Sequence, residues 1–180
     1  INNFKTVDDR RISQLNFENV EINADQIVAI GDEAEQLIKD AINYGTLCVS
    51  AEAVGCMESC YLKTVEYTKS REQFGQPISN FQVLQHKMVD MFIEAELCKS
   101  LLYKSMIDMH EKNDSKYRSV SALKSQVGLS GKKVGEDAVQ LHGGMGVSEE
   151  MSIGHYLKRF ISIDSQFGNS HFHLKKFNNS

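Results

Sequence analysis

The spacing of hydrophobic and polar positions changes near residue 32. Before that point, apolar residues stand partly at alternate positions, with polar residues between them: Ile12, Leu15, Phe17, Val20 and Ile22. Alternation of this kind predicts one or two β-strands. Because an isolated strand pair is at best marginally stable in water, we expect residues 1–31 to be the end of a β-rich domain that the chain carries only in part.

From residue 32 onwards the apolar residues recur at intervals of three and four, which predicts long amphipathic helices. The first helix is expected to begin with Asp32 as its N-cap and to end near Ser70. The second carries its apolar stripe at Leu84, Met88, Met91, Ala95, Cys98 and Leu102. The third carries Val120, Leu123, Val127, Gly131, Val134, Ala138 and Leu141.

A fourth helix is expected over roughly Glu149 to Phe167, followed by a short C-terminal segment. Long helices joined by short loops are typical of an antiparallel helical bundle. The sequence therefore predicts an all-α fold, an antiparallel four-helix bundle over residues 32–180, with a short N-terminal β remnant.

Composition and charge narrow the function classes. The 180 residues are 41% hydrophobic and 24% charged, and the net charge of −4 favours neither a nucleic-acid nor a membrane-surface partner. No apolar run is long enough to span a bilayer. Cys56 and Cys60 share a helical face without matching histidines, so we expect buried thiols in a reducing, cytoplasmic compartment rather than disulfides or a metal site.

The connector between the first two helices carries more chemistry than a turn requires. Gly75 and Pro77 can make the turn itself. Arg71 offers a planar, permanently charged fork that pairs with phosphate oxygens. Phe74 could stack on a flat ring, and Gln82 could hydrogen-bond one. Taken alone, the stretch fits an ordinary helix connector with a surface arginine better, anchored to the core by Ile78 and Phe81.

A second glycine-bearing loop, "VQLHGGMG", ends the third helix. The adjacent Gly143 and Gly144 allow close backbone approach to a ligand. No Lys-Ser/Thr pair follows, so the loop is not a P-loop, and no strand precedes it, so it is not a dinucleotide fingerprint. A glycine C-cap is the alternative interpretation.

Together, and in this order, the two motifs resemble the C-terminal domain of the acyl-CoA dehydrogenase family. The family pattern Arg-x-x-Phe-Gly-x-x-Ile/Leu-x-x-x-Gln is matched by Arg71, Phe74, Gly75, Ile78 and Gln82. The later pattern Gln-x-x-Gly-Gly-x-Gly is matched by Gln140, Gly143, Gly144 and Gly146. The stretch "NFENVEINADQIV" resembles the last strand of the family's middle β-domain and the entry to its first bundle helix.

The resemblance implies a bundle paired into a homo- or hetero-oligomer, a dimer or a tetramer, with FAD at the subunit boundary. It implies α,β-dehydrogenation of an acyl-CoA substrate, with an electron acceptor for the reduced flavin. Such chemistry needs a base beside the thioester and donors that stabilise the developing enolate. The residues expected to hold the pyrophosphate and adenine side of FAD are Arg71, Gln73, Phe74, Gln82, Gln140, Gly143 and Gly144.

The catalytic positions depart from the family pattern. The usual glutamate base aligns with Gly168, the alternative base position on the first helix is Gly45, and a neighbouring arginine position is Thr46. The tail resembles a branch of dehydrogenases for steroid side chains and other bulky acyl-CoAs, several of which are heteromers in which one subunit can lack a complete site. The matching tail residues are Tyr156, Leu157, Lys158, Arg159, Asp164 and Gly168.

Asp164 is the candidate substitute base, because it stands one helical turn before Gly168 and shares its face. It also lies on an apolar stripe, where a carboxylate is costly unless paired. The alternative is a structural ion pair with Lys158, with Arg159 or with a partner chain.

Three further polar residues have weaker interpretations. His171 and His173 are candidate polar contacts, with an exposed tail as the alternative, and Glu52 is expected to be a solvated residue of the first helix. The leading hypothesis is thus the C-terminal part of an FAD-dependent acyl-CoA dehydrogenase. The alternatives are a non-catalytic partner subunit that completes a neighbour's FAD site, and a bundle retained for interaction alone.

Overall fold

A computed structural model describes residues 1–179 as a helical bundle preceded by a small β-hairpin. The hairpin and the helices are, in chain order, β1 (Asn2–Lys5), β2 (Arg11–Gln14), α1 (Asp32–Ser70), α2 (Gln82–His110), α3 (Lys116–His142), α4 (Ser152–Ser165) and α5 (Ser170–Asn178). The α1–α2 connector contains a two-residue antiparallel pair, β3 (Glu72–Gln73) and β4 (Gln76–Pro77). The predicted all-α bundle is confirmed, with a short fifth helix added.

Helix α3 is the centre of the bundle, because it packs against each of the other four helices. Its glycines make the close contacts possible. A Cβ atom placed on Gly131 would lie 3.1 Å from the ring of Phe160, and one on Gly128 would lie 2.1 Å from the Oδ1 of Asp164. The core around α3 includes Ala53, Met57, Cys60, Met91, Ala95, Cys98, Leu123, Val127, Val134, Ala138, Ile153 and Ile163.

Two helix boundaries differ from those predicted. The N-cap of α1 is Gly31, with φ of 63°, so Asp32 is the first helical residue and not the cap. Helix α4 ends at Ser165 rather than at Phe167, because Phe167 and Gly168 both adopt positive φ and break the helix before α5.

The N-terminal hairpin is attached to the bundle through a buried ion-pair network. Asp8, in the hairpin turn, accepts from Arg159 Nη1 at 2.8 Å and from Ser162 Oγ at 2.7 Å. Arg159 also donates to both carboxylate oxygens of Glu52, at 2.8 and 2.6 Å. Burial alone would raise the pKa of Asp8, but hydrogen bonds from Thr6, Ser162 and Arg159 hold that pKa far below its usual value.

The interpretation of Glu52 as a solvated residue is therefore wrong. Its side chain is only about one third exposed and is held by Arg159, whose hydrogen bonds lower the pKa of Glu52. That the hairpin and residues up to 31 close a larger β-domain stays a prediction. Among the described helices, none is long and apolar enough to cross a membrane.

Candidate functional site

The α1–α2 connector and the turn after α3 are about seventy residues apart, yet they meet at one cleft. We call it the two-loop cleft. Its lining consists of Tyr67, Arg71, Gln73, Ile78, Gln140, Leu141, His142, Gly143, Gly144 and Met145. Five of the seven predicted cofactor residues thus share one surface, which neither motif could indicate by itself.

The connector owes its shape to its central turn. Phe74 and Gly75 both have positive φ, 56° and 78°, as the two central residues of the β3–β4 turn. Ile78 is buried, as expected of an anchor, and its N–H donates to the carbonyl of Arg71 at 2.8 Å. Within residues 1–179 no carboxylate pairs with the exposed Arg71 guanidinium, so its charge is free for a ligand or another chain.

Two predicted cofactor residues lie outside the lining of the cleft. Phe74 is 93% exposed at the tip of the connector, and its ring meets Phe81 edge-on at 6.0 Å. Gln82 is the exposed first residue of α2. Both project from the same connector as Arg71, so only a molecule that extends beyond the cleft could contact all three.

The turn after α3, Gly143–Val147, which we call the glycine turn, has an open side and a packed side. Gly143 caps α3 with φ of 58°, a conformation that favours glycine. A Cβ atom on Gly144 would meet nothing within 4 Å and its φ is not positive, so nothing within residues 1–179 requires a glycine there. A Cβ on Gly146, by contrast, would lie 2.6 Å from the carbonyl oxygen of Val139.

Tyr67 and His142 form the floor of the cleft and were missed by the sequence interpretation. Their rings stack at 4.1 Å with an angle of 21°. His142 is buried, and its Nδ1 donates to the Ala138 carbonyl at 2.8 Å. Burial lowers the pKa of His142 despite that hydrogen bond, so the imidazole is neutral. Its place directly before the two glycines was the signal that could have revealed it.

The two positions at which the resemblance leads us to expect a base, Gly45 and Gly168, lie at a second place, where α1 meets the turn between α4 and α5. We call residues 166–169 the Phe167 turn. A Cβ atom on Gly45 would lie 2.6 Å from the Phe167 Cζ, and one on Gly168 would lie 2.5 Å from the Phe172 Cδ1. The Phe167 ring leaves no room for a side chain at position 45, whereas at position 168 the Phe172 ring and the positive φ leave none. The neighbouring Thr46 is buried and donates to Ile42.

Asp164 is hydrogen-bonded to the first residue of α5, whose N-cap is Asn169. Its Oδ1 accepts from the backbone N–H of Ser170 at 2.9 Å. Neither cation proposed as its partner contacts it, because Lys158 pairs with Glu149 and Arg159 is held by the hairpin network. The alternative of an ion pair with either residue is therefore wrong, and a role for Asp164 as base stays a prediction.

Two buried side chains contact the Phe167 turn, Lys124 and His173. The sequence interpretation did not name Lys124, and it did not predict that His173 is buried. Lys124 is fully buried, and burial lowers its pKa to about 8. His173 is also buried rather than part of an exposed tail, with its Nε2 3.0 Å from the Phe167 carbonyl, whereas His171 is exposed as expected. The lysine lies within the apolar stripe of α3, next to Leu123, and that misplaced charge was the available signal.

Metal chemistry has no support in the described part of the chain. Within residues 1–179 there is no group of three or more His, Cys, Asp or Glu side chains that could hold an ion. Cys60 and Cys98 are buried thiols, and burial raises their pKa values to about 12 and about 11 respectively. Cys48, in contrast, is exposed.

Comparison with known sequences identifies one family. The family model for the acyl-CoA dehydrogenase C-terminal domain matches residues 36–175. A short-chain-specific acyl-CoA dehydrogenase from Megasphaera elsdenii is 29% identical over 150 residues, which cover 81% of this chain and 38% of that protein. The acyl-CoA dehydrogenase IpdE2 from Mycobacterium tuberculosis is 32% identical over 130 residues, which cover 71% of this chain and 39% of that protein.

Solved structures agree with this fold. Butyryl-CoA dehydrogenase from Megasphaera elsdenii matches with a TM-score of 0.85 and 25% identity, over 91% of this chain and 42% of that one. A variant of the Tcur3481-Tcur3483 steroid ACAD matches with a TM-score of 0.88 at 23% identity, over 99% of this chain and 47% of that one, a likeness of fold alone. The chain thus spans about two fifths of the length of the curated relatives it matches.

Proposed function

Because the chain belongs to the acyl-CoA dehydrogenase family by its C-terminal domain, we propose that it is part of a flavin-dependent enzyme that dehydrogenates an acyl-CoA thioester. The activity is assigned to a longer protein, since the chain covers 38% of the relative from Megasphaera elsdenii. Its own contribution is the helical bundle and the two-loop cleft.

The observation that carries this proposal is the meeting of an uncompensated guanidinium with an open glycine turn. Arg71 would hold pyrophosphate oxygens, because its planar fork pairs with them and no acidic side chain in the described residues competes. Gly143 and Gly144 leave room for backbone approach, and Gln73 and Gln140 add amide groups at the same surface. These residues fit FAD, which when bound would accept the substrate hydride.

The exposed residues of the connector support a site shared between chains. Phe74 and Gln82 are exposed and lie outside the lining of the cleft of their own chain, where a ligand carried by a neighbouring chain could meet them. The Phe74 ring is almost fully in water in this chain. Stacking on an aromatic ring of a bound ligand would bury it and offset the cost of that exposure. We therefore propose a dimer or a tetramer, and an electron acceptor that reoxidises the flavin.

The test is flavin retention in the full-length protein that contains this chain. Arg71→Ala should weaken FAD binding by roughly tenfold or more, the effect of losing a charge-assisted hydrogen bond. Lys69→Ala is the matched control, because Lys69 is a cation beside the connector that pairs only with Glu66. The ratio of flavin to protein absorbance after gel filtration measures both. Equal retention in the two variants would refute the Arg71 assignment, and a colourless wild type would favour a bundle kept for interaction alone.

A second candidate is a partner subunit that lacks its own base and completes a neighbour's FAD site. The specific observation that favours it is the Phe167 ring, which lies against Gly45 and leaves no room for a side chain at that position. Anaerobic mixing with acyl-CoAs separates the candidates. Flavin bleaching by the purified protein alone supports the dehydrogenase, while bleaching only after a second subunit is added supports the partner.

Asp164 is tested in the same assay. If it is the substitute base, Asp164→Asn should abolish bleaching, while the amide oxygen can still accept from the backbone of Ser170. Unchanged bleaching would remove Asp164 from the catalytic residues and leave it as the acceptor for the first N–H of α5.

A further inference from the structure

The Phe167 turn has an unusual backbone. Phe167 and Gly168 adopt φ of 57° and 99° in succession. Positive φ is uncommon for a bulky aromatic residue, and such a conformation persists only when its surroundings hold it in place. The question is what holds this turn, since its residues are half-buried or exposed and belong to neither helix.

Three carbonyl groups of the turn and its entry converge on two buried side chains. Lys124, from α3, donates from Nζ to the carbonyls of Asp164 and Gly168, each at 2.9 Å. His173, from α5, places Nε2 3.0 Å from the Phe167 carbonyl. A carbonyl only accepts, so Nε2 carries the proton and Nδ1, which has no partner in the described structure, is left as a buried lone pair.

The contacts determine where the Phe167 ring lies. With three carbonyls fixed, the side chain is directed onto α1, where the ring covers Gly45 so closely that no Cβ would fit. An apolar residue would fill position 124 without the cost of burying an amine. The Lys124 amine is therefore explained by its hydrogen bonds to the carbonyls of Asp164 and Gly168. Through these bonds it helps to fix the position of the Phe167 ring.

We propose that Lys124 and His173 are positioning residues that hold the Phe167 turn closed over Gly45. The closed turn restricts which acyl groups fit the acyl-CoA site of the full-length protein. This rests on the proposed function for its second half only. The first half concerns the chain itself and is measurable without any activity.

Hydrogen–deuterium exchange on the full-length protein tests the first half. Lys124→Met keeps a long unbranched side chain but removes the Nζ donor. The amides of residues 166–173 should then exchange at least tenfold faster than in the wild type. Lys132→Met is the matched control, because Lys132 is an exposed lysine of the same helix that reaches only Glu136. Equal protection of amides 166–173 in both variants overturns the clamp.

The histidine gives an independent pair of variants. His173→Gln offers an N–H at a similar distance from the backbone and should keep the protection, whereas His173→Phe preserves ring volume without a donor and should lose it. If both variants exchange alike, the hydrogen bond to Phe167 is not what holds the turn, and the assignment of His173 is overturned.

Acyl-CoA binding by calorimetry tests the second half, with butyryl-CoA and cyclohexanecarboxyl-CoA as the two probes. Release of the turn in Lys124→Met should shift the affinity ratio at least fivefold towards the ring-bearing thioester. Faster exchange with an unchanged ratio overturns the role in selectivity. A wild type that binds neither thioester overturns the proposed function, while the exchange experiment still decides whether the two residues hold the turn.

Discussion

The two-loop cleft and the Phe167 turn both contain glycines, and those glycines differ in what requires them. At Gly168, φ of 99° and the nearby ring of Phe172 exclude any side chain. At Gly144 the backbone is ordinary and a Cβ would meet nothing within 4 Å. A glycine that its own fold needs reports on packing. A glycine that its own fold does not need is better explained by something that approaches from outside.

The same contrast holds for the charged groups of the two regions. Arg71 at the cleft is exposed, with no acidic partner among residues 1–179. Lys124 beneath the turn is fully buried, with two carbonyl partners from its own chain. The charge at the cleft is therefore left unpaired by the described residues, whereas the charge beneath the turn is bonded within its own chain, although the family resemblance assigns both regions to one reaction.

The largest expected difference comes from placing alanine at the two glycines. Gly168→Ala should lower the free energy of unfolding by about 3 kcal/mol, since it adds strain at positive φ and a clash with Phe172. Gly144→Ala should change it by less than about 0.5 kcal/mol. Chemical denaturation of the full-length protein measures both. Similar losses would mean that the two glycines do not differ as described.

That comparison also bears on placing a glutamate at position 168, where the family resemblance leads us to expect the base. Gly168→Glu brings the same backbone strain and a larger side chain against Phe172, so we expect a destabilised protein rather than a restored enzyme. A stable, more active variant would show that the turn opens in solution.

Lys124 gives the next effect, through pH. Burial lowers its pKa from 10.5 to about 8, so between these values the unfolded chain holds a proton that the folded chain has released. Folding stability should therefore rise with pH across this window, by about 2 kcal/mol between about pH 8 and 10. The measurement is the difference in unfolding free energy between wild type and Lys124→Met, in which the other titrating groups cancel. A difference that does not change with pH would contradict a buried amine.

At the cleft, added volume should affect binding and leave stability unchanged. Gly144→Val introduces a branched side chain on the open side of the glycine turn. We expect roughly tenfold weaker flavin retention, about 1.4 kcal/mol, with an unfolding midpoint within error of wild type. Met145→Val, one residue further along the same cleft lining, is the control for a mild change of volume. Full flavin retention in Gly144→Val would show that no ligand approaches there.

The sequence was sufficient for the helices, since spacing and turn residues are local signals, while the pairing of the two motifs came from the resemblance to the family. It failed where a side chain meets a partner far along the chain. Glu52 and Arg159 are 107 residues apart, and periodicity assigns a residue to a face but not to a partner on another helix. The His173 contact with the Phe167 carbonyl depends on a backbone conformation that no residue pattern specifies.

The smallest expected effect concerns the floor of the two-loop cleft. It tests whether the stacked rings of Tyr67 and His142 contribute to flavin binding at the exposed surface above them. The Tyr67 ring stacks on His142, and its hydroxyl contacts the His142 carbonyl only at a long 3.4 Å. Tyr67→Phe should therefore cost less than about 0.5 kcal/mol of stability, whereas Tyr67→Leu, which loses the stack, should cost about 1 kcal/mol. If stacking orients the residues next to the glycine turn, Tyr67→Leu should also lose flavin more readily than Tyr67→Phe. Equal flavin retention in the two variants would show that the Tyr67–His142 stack does not contribute to flavin binding. The ligand would then be positioned by Arg71, Gly143 and Gly144.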